Sequence, residues 1–267
     1  MIKDITFGQY FPGNSVIHRM DPRMKIVLSI AVLILIFVAN SYASLLFMVL
    51  LIFGIVVISK IPVKIVLKSV KPILPVIALT SILNIFNVQG DVVFKIWFFN
   101  VTVQGIQAAI FIAVRLVCLI AASSMLTYTT SPTMLTDAIE RLLSPLNYLH
   151  IEVHSVAMMM TIALRFIPTL IEEVDKIISA QKARGADMES GNLIQKVKSM
   201  IPILVPLFVS SFRRAYELAY AMECRCYRGG TGRTRMKEMH IGKMDCFSAI
   251  LVAVCIVLVI LLNFIIW

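Results

Sequence analysis

Between Lys25 and Lys60 lie 34 residues without a charge, Ile26 to Ser59. One helix of that length would run about 51 Å at 1.5 Å per residue, far beyond a hydrocarbon core of about 30 Å. Asn40 and Ser41 interrupt the run near its middle, so the pattern predicts a tight helical hairpin of two short membrane spans. Asp21-Pro22 just upstream suits a helix start, with Asp as N-cap and Pro at the first helical position. Lys60, Lys64, Lys68 and Lys71 follow. Steps of four, four and three place them along one side of a helix, while Ile61, Ile65, Val66 and Val70 take other faces. This reads as an interfacial amphipathic segment on the cytoplasmic side, where basic residues are retained and meet lipid phosphates.

A third span is expected from Pro72 to about Asn87. The stretch from Asp91 to Asn100 reads as a loop, with Trp97, Phe98 and Phe99 at an interface. A fourth apolar run, Gly105 to Leu126, contains Arg115, and an arginine inside a span requires a protein or water partner. From Ser131 to Asp245 short amphipathic pieces replace long apolar runs. Glu172 to Asp245 alone holds 13 basic and 9 acidic residues. The last charge-free stretch, Cys246 to Trp267, is 22 residues long and forms the clearest single span. The expected architecture is an all-α membrane protein of about five transmembrane helices plus a cytoplasmic coupling domain of long amphipathic helices. Its divisions are 1–130 (membrane helices with a basic cytoplasmic loop), 131–245 (the mainly cytoplasmic helical insert) and 246–267 (a C-terminal span). The N-terminus is expected inside and the C-terminus outside.

Composition sharpens this. Of 267 residues, 59% are hydrophobic and 15% charged, and the mean hydropathy is +0.90. A soluble domain runs nearer half apolar and a quarter charged, so a soluble enzyme is disfavoured, and disordered, collagen-like and disulfide-stapled secreted classes are excluded. The formal charge of +10 fits retention of Lys and Arg in cytoplasmic segments; nucleic-acid binding would want a basic face on a soluble fold. Cys118, Cys224, Cys226, Cys246 and Cys255 show no repeated spacing, and no disulfide framework is legible. The opening residues lack an apolar run and are not expected to form a cleaved signal peptide.

Two segments of the insert resemble each other. Ile177 to Ala186 carries Ala183-Arg184-Gly185, and Glu217 to Gly230 carries Cys224-Arg225-Cys226. Each is an amphipathic helical stretch ending in an arginine with a glycine within a few residues. Ordinary helix ends account for this, since arginine suits the C-terminal end of the dipole and glycine the position beyond. A docking role is the other account: arginine carries a permanent charge and a planar fork for carboxylates, and small neighbours admit the helix to a narrow groove. No G-x-x-x-x-G-K-[ST] phosphate loop occurs, and Gly229 to Arg233 reads as a flexible turn. His150 and His154 sit at i and i+4, a zinc-like spacing, but Glu152 is one place off the metalloprotease pattern. An intramembrane metalloenzyme built on these histidines is one alternative function. A self-sufficient secondary transporter is another, which internal repeats of the spans would support; none is evident. Met158, Met159 and Met160 form an adaptable apolar surface. Pro202 and Pro206 are expected to kink the apolar segment Ile201 to Phe212.

With these motifs the chain resembles the T component (EcfT) of energy-coupling factor vitamin transporters, kin to CbiQ and BioN. The resemblance rests on Ala183-Arg184-Gly185, on Cys224-Arg225-Cys226 (where the arginine is kept and both neighbours are replaced), and on Gly8-Gln9-Tyr10, Pro12, Ser15 and His18. Asp21-Pro22-Arg23-Met24-Lys25 and Leu164-Arg165-Phe166-Ile167-Pro168, followed by Glu172 and Glu173, match as well. It covers nearly the whole chain in order. The resemblance implies a non-enzymatic, multi-pass subunit of a bacterial cell-membrane importer. Arg184 and Arg225 would dock on two ABC ATPase subunits (an EcfA-type pair, identical or not), shaped by Ala183, Gly185, Cys224 and Cys226. A separate membrane-embedded, substrate-binding S component would receive the motion. No catalytic, metal or cofactor residue is implied in this chain; ATP and Mg would be held by the partner ATPases. The lipid bilayer is the remaining partner, and nucleic acid is not one.

Overall fold

The computed structural model describes residues 10–88, 91–96, 99–149, 152–186, 192–229 and 239–265. The chain divides into two compact units, one of residues 8–138 with 237–267, the other of residues 1–7 with 139–236.

The first unit holds α1 (Val16–Arg19), α2 (Pro22–Val38), α3 (Tyr42–Ser59), α4 (Val63–Val70), α5 (Leu74–Asn87), a hairpin of β1 (Val92–Ile96) and β2 (Phe99–Thr102), α6 (Val103–Thr129) and α10 (Lys243–Ile265). Helix α6 is its centre: α2, α3, α4 and α5 all pack on it, while α10 packs on α2 and α3. The core joins Leu35 and Ile36 of α2, Met48 and Ile52 of α3, Ala121 and Met125 of α6, and Val259 of α10. Small residues on α6 let the neighbouring backbones approach, the usual basis of helix contact in lipid. The outward faces carry exposed Ile34, Phe37, Leu46, Leu50 and Phe53, as lipid-facing surfaces do.

Asp21 caps α2 as expected, its carboxylate accepting from the Arg23 N–H at 2.9 Å, with Pro22 at the first position. The same motif ties α2 to α1, α6 and α10. Arg23 Nη2 bonds to Asp21 Oδ2 at 2.8 Å and to the Met239 carbonyl at 3.0 Å. Buried Lys25 donates to the carbonyls of His18 (3.1 Å) and Thr129 (3.0 Å), and buried Asp245 accepts from the backbone N–H groups of Asp21 (2.9 Å) and Gly242 (2.7 Å). At the far end of α2, the break at Asn40-Ser41 is a turn held from two sides. Arg115 of α6 donates to the Ala39 carbonyl at 2.5 Å and to Asn40 Oδ1 at 3.3 Å, over the Phe111 ring at 4.7 Å. Asn263 of α10 accepts from the Asn40 and Ser41 N–H groups and donates to the Val38 carbonyl at 2.7 Å. The intramembrane arginine thus pins a hairpin turn.

Two expectations change. The aromatic stretch after Asp91 is a two-stranded antiparallel hairpin pairing Ile96 with Phe99 and Phe94 with Val101, with a bulge between Val92 and Phe94. Its β-branched and aromatic residues favour extended backbone. Trp97 and Phe98 lie outside the described residues. Five helical segments are long and apolar enough to cross a membrane: Tyr42–Ser59, Val63–Asn87, Val103–Thr129, Val153–Ala183 and Lys243–Phe264. Four of the five expected spans are among them. Helix α2, with 17 residues, is at the short end of the range for a span, and the helix Val153–Ala183, in the stretch assigned to the insert, is long and apolar enough as well.

The second unit is built on that helix, α8 (Val153–Ala183), and on α9 (Leu193–Cys224); α7 (Pro132–Leu143) leads into them from the first unit. Both long helices continue through their internal prolines, Pro168 in α8 and Pro202 and Pro206 in α9. They pack antiparallel. Glu173 meets Ser210, and meets Arg214 at 2.5 Å, while Met158, earlier on α8, meets Tyr227 just beyond α9. Among the described residues α9 buries none of its side chains, and Val197, Ile201, Val205, Phe208 and Phe212 form an exposed apolar stripe.

Candidate coupling site

Helix α8 ends on Arg184 and α9 on Arg225. The two ends share one hydrogen-bond pattern. After the first, the Gly185 N–H bonds to the Lys182 carbonyl (3.0 Å) and the Ala186 N–H to the Gln181 carbonyl (3.0 Å). After the second, the Cys226 N–H bonds to the Glu223 carbonyl (2.8 Å) and the Tyr227 N–H to the Met222 carbonyl (3.0 Å). Both are Schellman ends, with a 6→1 bond enclosing a 5→2 bond. Arg184 is thereby equivalent to Arg225, Ala183 to Cys224 and Gly185 to Cys226.

This motif requires a left-handed residue just past the cap. Gly185 supplies it at φ +85°; Cys226 supplies it at φ +54°. The glycine expected to close the second helix is therefore not the one that does so. Gly229 has its own positive φ of +84° three residues later. A side chain at such a φ carries strain, of the kind found where surrounding structure or function over-determines the backbone.

Ala183, Arg184, Gly185, Cys224, Arg225 and Cys226 are all exposed. Among the described residues neither Arg184 nor Arg225 has a side-chain hydrogen bond or ion pair, in contrast to Arg214 on Glu173. Because α8 and α9 are antiparallel, the two arginines project from opposite ends of the pair. Tyr227 reaches Met158, so the second end lies beside the start of α8 and the first at its finish. The separation is about 39 Å at 1.5 Å per residue. The structure thus presents two equivalent cationic ends well apart, not one combined patch.

The second end is anchored through Tyr227. Tyr227 Oη lies 2.9 Å from Met158 Sδ and 3.5 Å from His154 Nε2, and His154 Nδ1 lies 2.9 Å from Glu140 Oε1. Both ring nitrogens of His154 therefore face protein groups; His150 lies outside the described residues. An apolar groove of about 270 Å³ lies between the helices, lined by Ile162, Phe166, Leu170, Leu218 and Met222. Residue spacing does not disclose the Glu173–Arg214 pair or the Tyr227 anchor, since each joins positions at least 41 residues apart. The one sequence signal for Glu173 is its place in the family resemblance.

A bundle of apolar helices together with two long amphipathic ones, five segments being long and apolar enough to cross a membrane, defines a multi-pass α-helical membrane protein. The chain belongs to the CbiQ family, described as cobalt transport protein, whose model matches residues 13–237. It is 53% identical over 265 residues to the energy-coupling factor transporter transmembrane protein EcfT of Ruminiclostridium cellulolyticum, covering 99% of both chains. It is 53% identical over 260 residues to that of Clostridium kluyveri (96% of both) and 44% identical over 240 residues to that of Bacillus subtilis (90% of this chain, 91% of the relative). The resemblance expected from the motifs is thus met along nearly the whole chain.

Proposed function

We propose that this protein is the membrane-embedded coupling subunit of an energy-coupling factor importer for a vitamin or other micronutrient. In this reading Arg184 and Arg225 each enter a groove on one of two ATPase subunits, and the antiparallel α8–α9 pair carries the resulting motion to a substrate-binding membrane subunit. The observation that carries the reading is the pair of equivalent Schellman ends, each offering an exposed arginine without a side-chain partner among the described residues. The guanidinium is a planar, pre-organised fork that pairs a carboxylate through two parallel hydrogen bonds, and the helix end fixes the backbone from which it projects. A separation of about 39 Å suits two docking points on two subunits better than two contacts on one.

The replacement of both neighbours in the second motif leaves this intact, because Cys226 adopts the backbone that Gly185 adopts. The exposed stripe of α9 supports a role as the surface for the membrane-embedded partner. With no phosphate loop in the sequence, ATP and Mg belong to the ATPase subunits. The N-terminus and the α8–α9 unit are placed on the cytoplasmic side, where those ATPases reside. Arg184→Glu combined with Arg225→Glu is the test: uptake by the assembled transporter is lost and ATPase association weakens, while membrane insertion stays normal. Normal uptake by the double variant would overturn the assignment.

A further inference from the structure

We infer that α4 is a binding site for anionic phospholipid, with Lys64, Lys68 and Lys71 on lipid phosphate and Val63 and Leu67 against the first part of the acyl chains. Three observations carry this. Connectivity comes first. Helix α4 follows the end of α3 at Ser59 after three residues and forms the first two turns of the segment Val63–Asn87; α3 and that segment are both of membrane-spanning character, so α4 lies at the end of a span, where the chain turns between the two and meets the headgroups.

The second observation is an uncompensated charge. Lys60, Lys64, Lys68 and Lys71 are all exposed, and among the described residues none makes an ion pair or a side-chain hydrogen bond. No acidic residue occurs between Asp21 and Asp91, and the Asp21 carboxylate is already taken by Arg23. Among the described residues no anion balances this row, which leaves it open to an anion from outside the chain. The third is a rigid, two-part outer surface. Val66 and Val70 are buried in packing against α6, and Ser69 bonds to the Tyr128 hydroxyl. That fixes the lysine row outward, and exposed Val63 (48%) and Leu67 (60%) stand beside it. Lysines alone would suit any phosphate; lysines beside exposed aliphatic side chains suit a phosphate that carries acyl chains. Lys64 to Lys71 spans seven residues, about 10 Å along the axis, enough for more than one headgroup.

The test is native mass spectrometry of the whole chain in mild detergent, titrated with phosphatidylglycerol or phosphatidylcholine. A lysine near an anionic lipid surface contributes about fivefold in affinity. Lys64→Gln/Lys68→Gln/Lys71→Gln is therefore expected to weaken phosphatidylglycerol binding by tenfold or more and to leave phosphatidylcholine unchanged. The triple Lys→Arg variant retains binding, and wild-type affinity falls with ionic strength, so a failure of the Gln variant to fold would not remove the test. A charge control in the other unit, Lys176→Gln/Lys198→Gln, retains binding. Equal phosphatidylglycerol affinity in the triple Gln variant would overturn the inference, as would an equal loss in the control pair. So would displacement of the lipid by inorganic phosphate, which would leave Val63 and Leu67 without a role.

Discussion

The left-handed residues at the two arginine-bearing ends can be exchanged in opposite directions. Gly185 stands at φ +85°, and an added Cβ there would meet nothing within 4 Å. The cost of Gly185→Ala is therefore conformational alone. A Cβ in the left-handed region costs about 1–2 kcal/mol; the smaller entropy of alanine in the open chain returns about 0.4–1 kcal/mol of this. A net loss of about 1 kcal/mol remains, which is about fivefold in a local opening equilibrium. Cys226→Gly runs the other way by a similar amount, because its φ of +54° already bears the strain. The assay is amide hydrogen exchange of the lipid-reconstituted chain, followed on the two N–H groups that close the ends, Ala186 and Tyr227. Exchange at Ala186 is expected to quicken about fivefold in Gly185→Ala, and exchange at Tyr227 to slow by a comparable factor in Cys226→Gly. Unchanged exchange at Ala186, or faster exchange at Tyr227, would refute the equivalence of the two ends.

Asp245→Asn should lower the midpoint of thermal unfolding in detergent by about 6–12 °C, from a loss of about 3 kcal/mol. The carboxylate is buried and takes two backbone N–H groups, one of which would face an amide NH₂ instead; far-UV circular dichroism reads the shift. For the partly exposed pair between α8 and α9, a double-mutant cycle of Glu173→Gln and Arg214→Met should give a coupling of about 1 kcal/mol. A coupling indistinguishable from zero would mean that the antiparallel pairing of these helices does not depend on that contact.

Much of the architecture was legible because it depends on near neighbours. The Asp21-Pro22 start, the break at Asn40-Ser41 and the long charge-free runs are local signals, and each appears where expected. The arginines at 184 and 225 were recognisable as helix ends for the same reason. Contacts between distant positions were not legible. Lys25 on the Thr129 carbonyl and Asp245 on the Asp21 N–H join residues 104 and 224 positions apart, and no periodicity marks them. The Val92–Thr102 hairpin was missed because aromatic residues between two spans suit an interfacial loop and a short strand equally. Alignment of Cys224-Arg225-Cys226 with Ala183-Arg184-Gly185 puts Cys226 opposite Gly185, but its left-handed backbone was not legible, because the second helix has glycines a few residues on and glycine is the usual occupant of that position.

The turn pinned by Arg115 and Asn263 has a mechanical consequence for the surrounding membrane. Helix α2 has 17 residues and α3 has 18, rises of about 26 and 27 Å. Their hairpin is a few ångströms shorter than an average hydrocarbon slab, and its tip carries Asn40 and Ser41 with the guanidinium of Arg115 beneath them. Hydrophobic mismatch of this sign is relieved by thinning the bilayer locally, at a fraction of a kcal/mol per ångström. Lipid directly beside the hairpin is therefore expected to dip towards the polar tip, making a shallow depression on one face of the membrane.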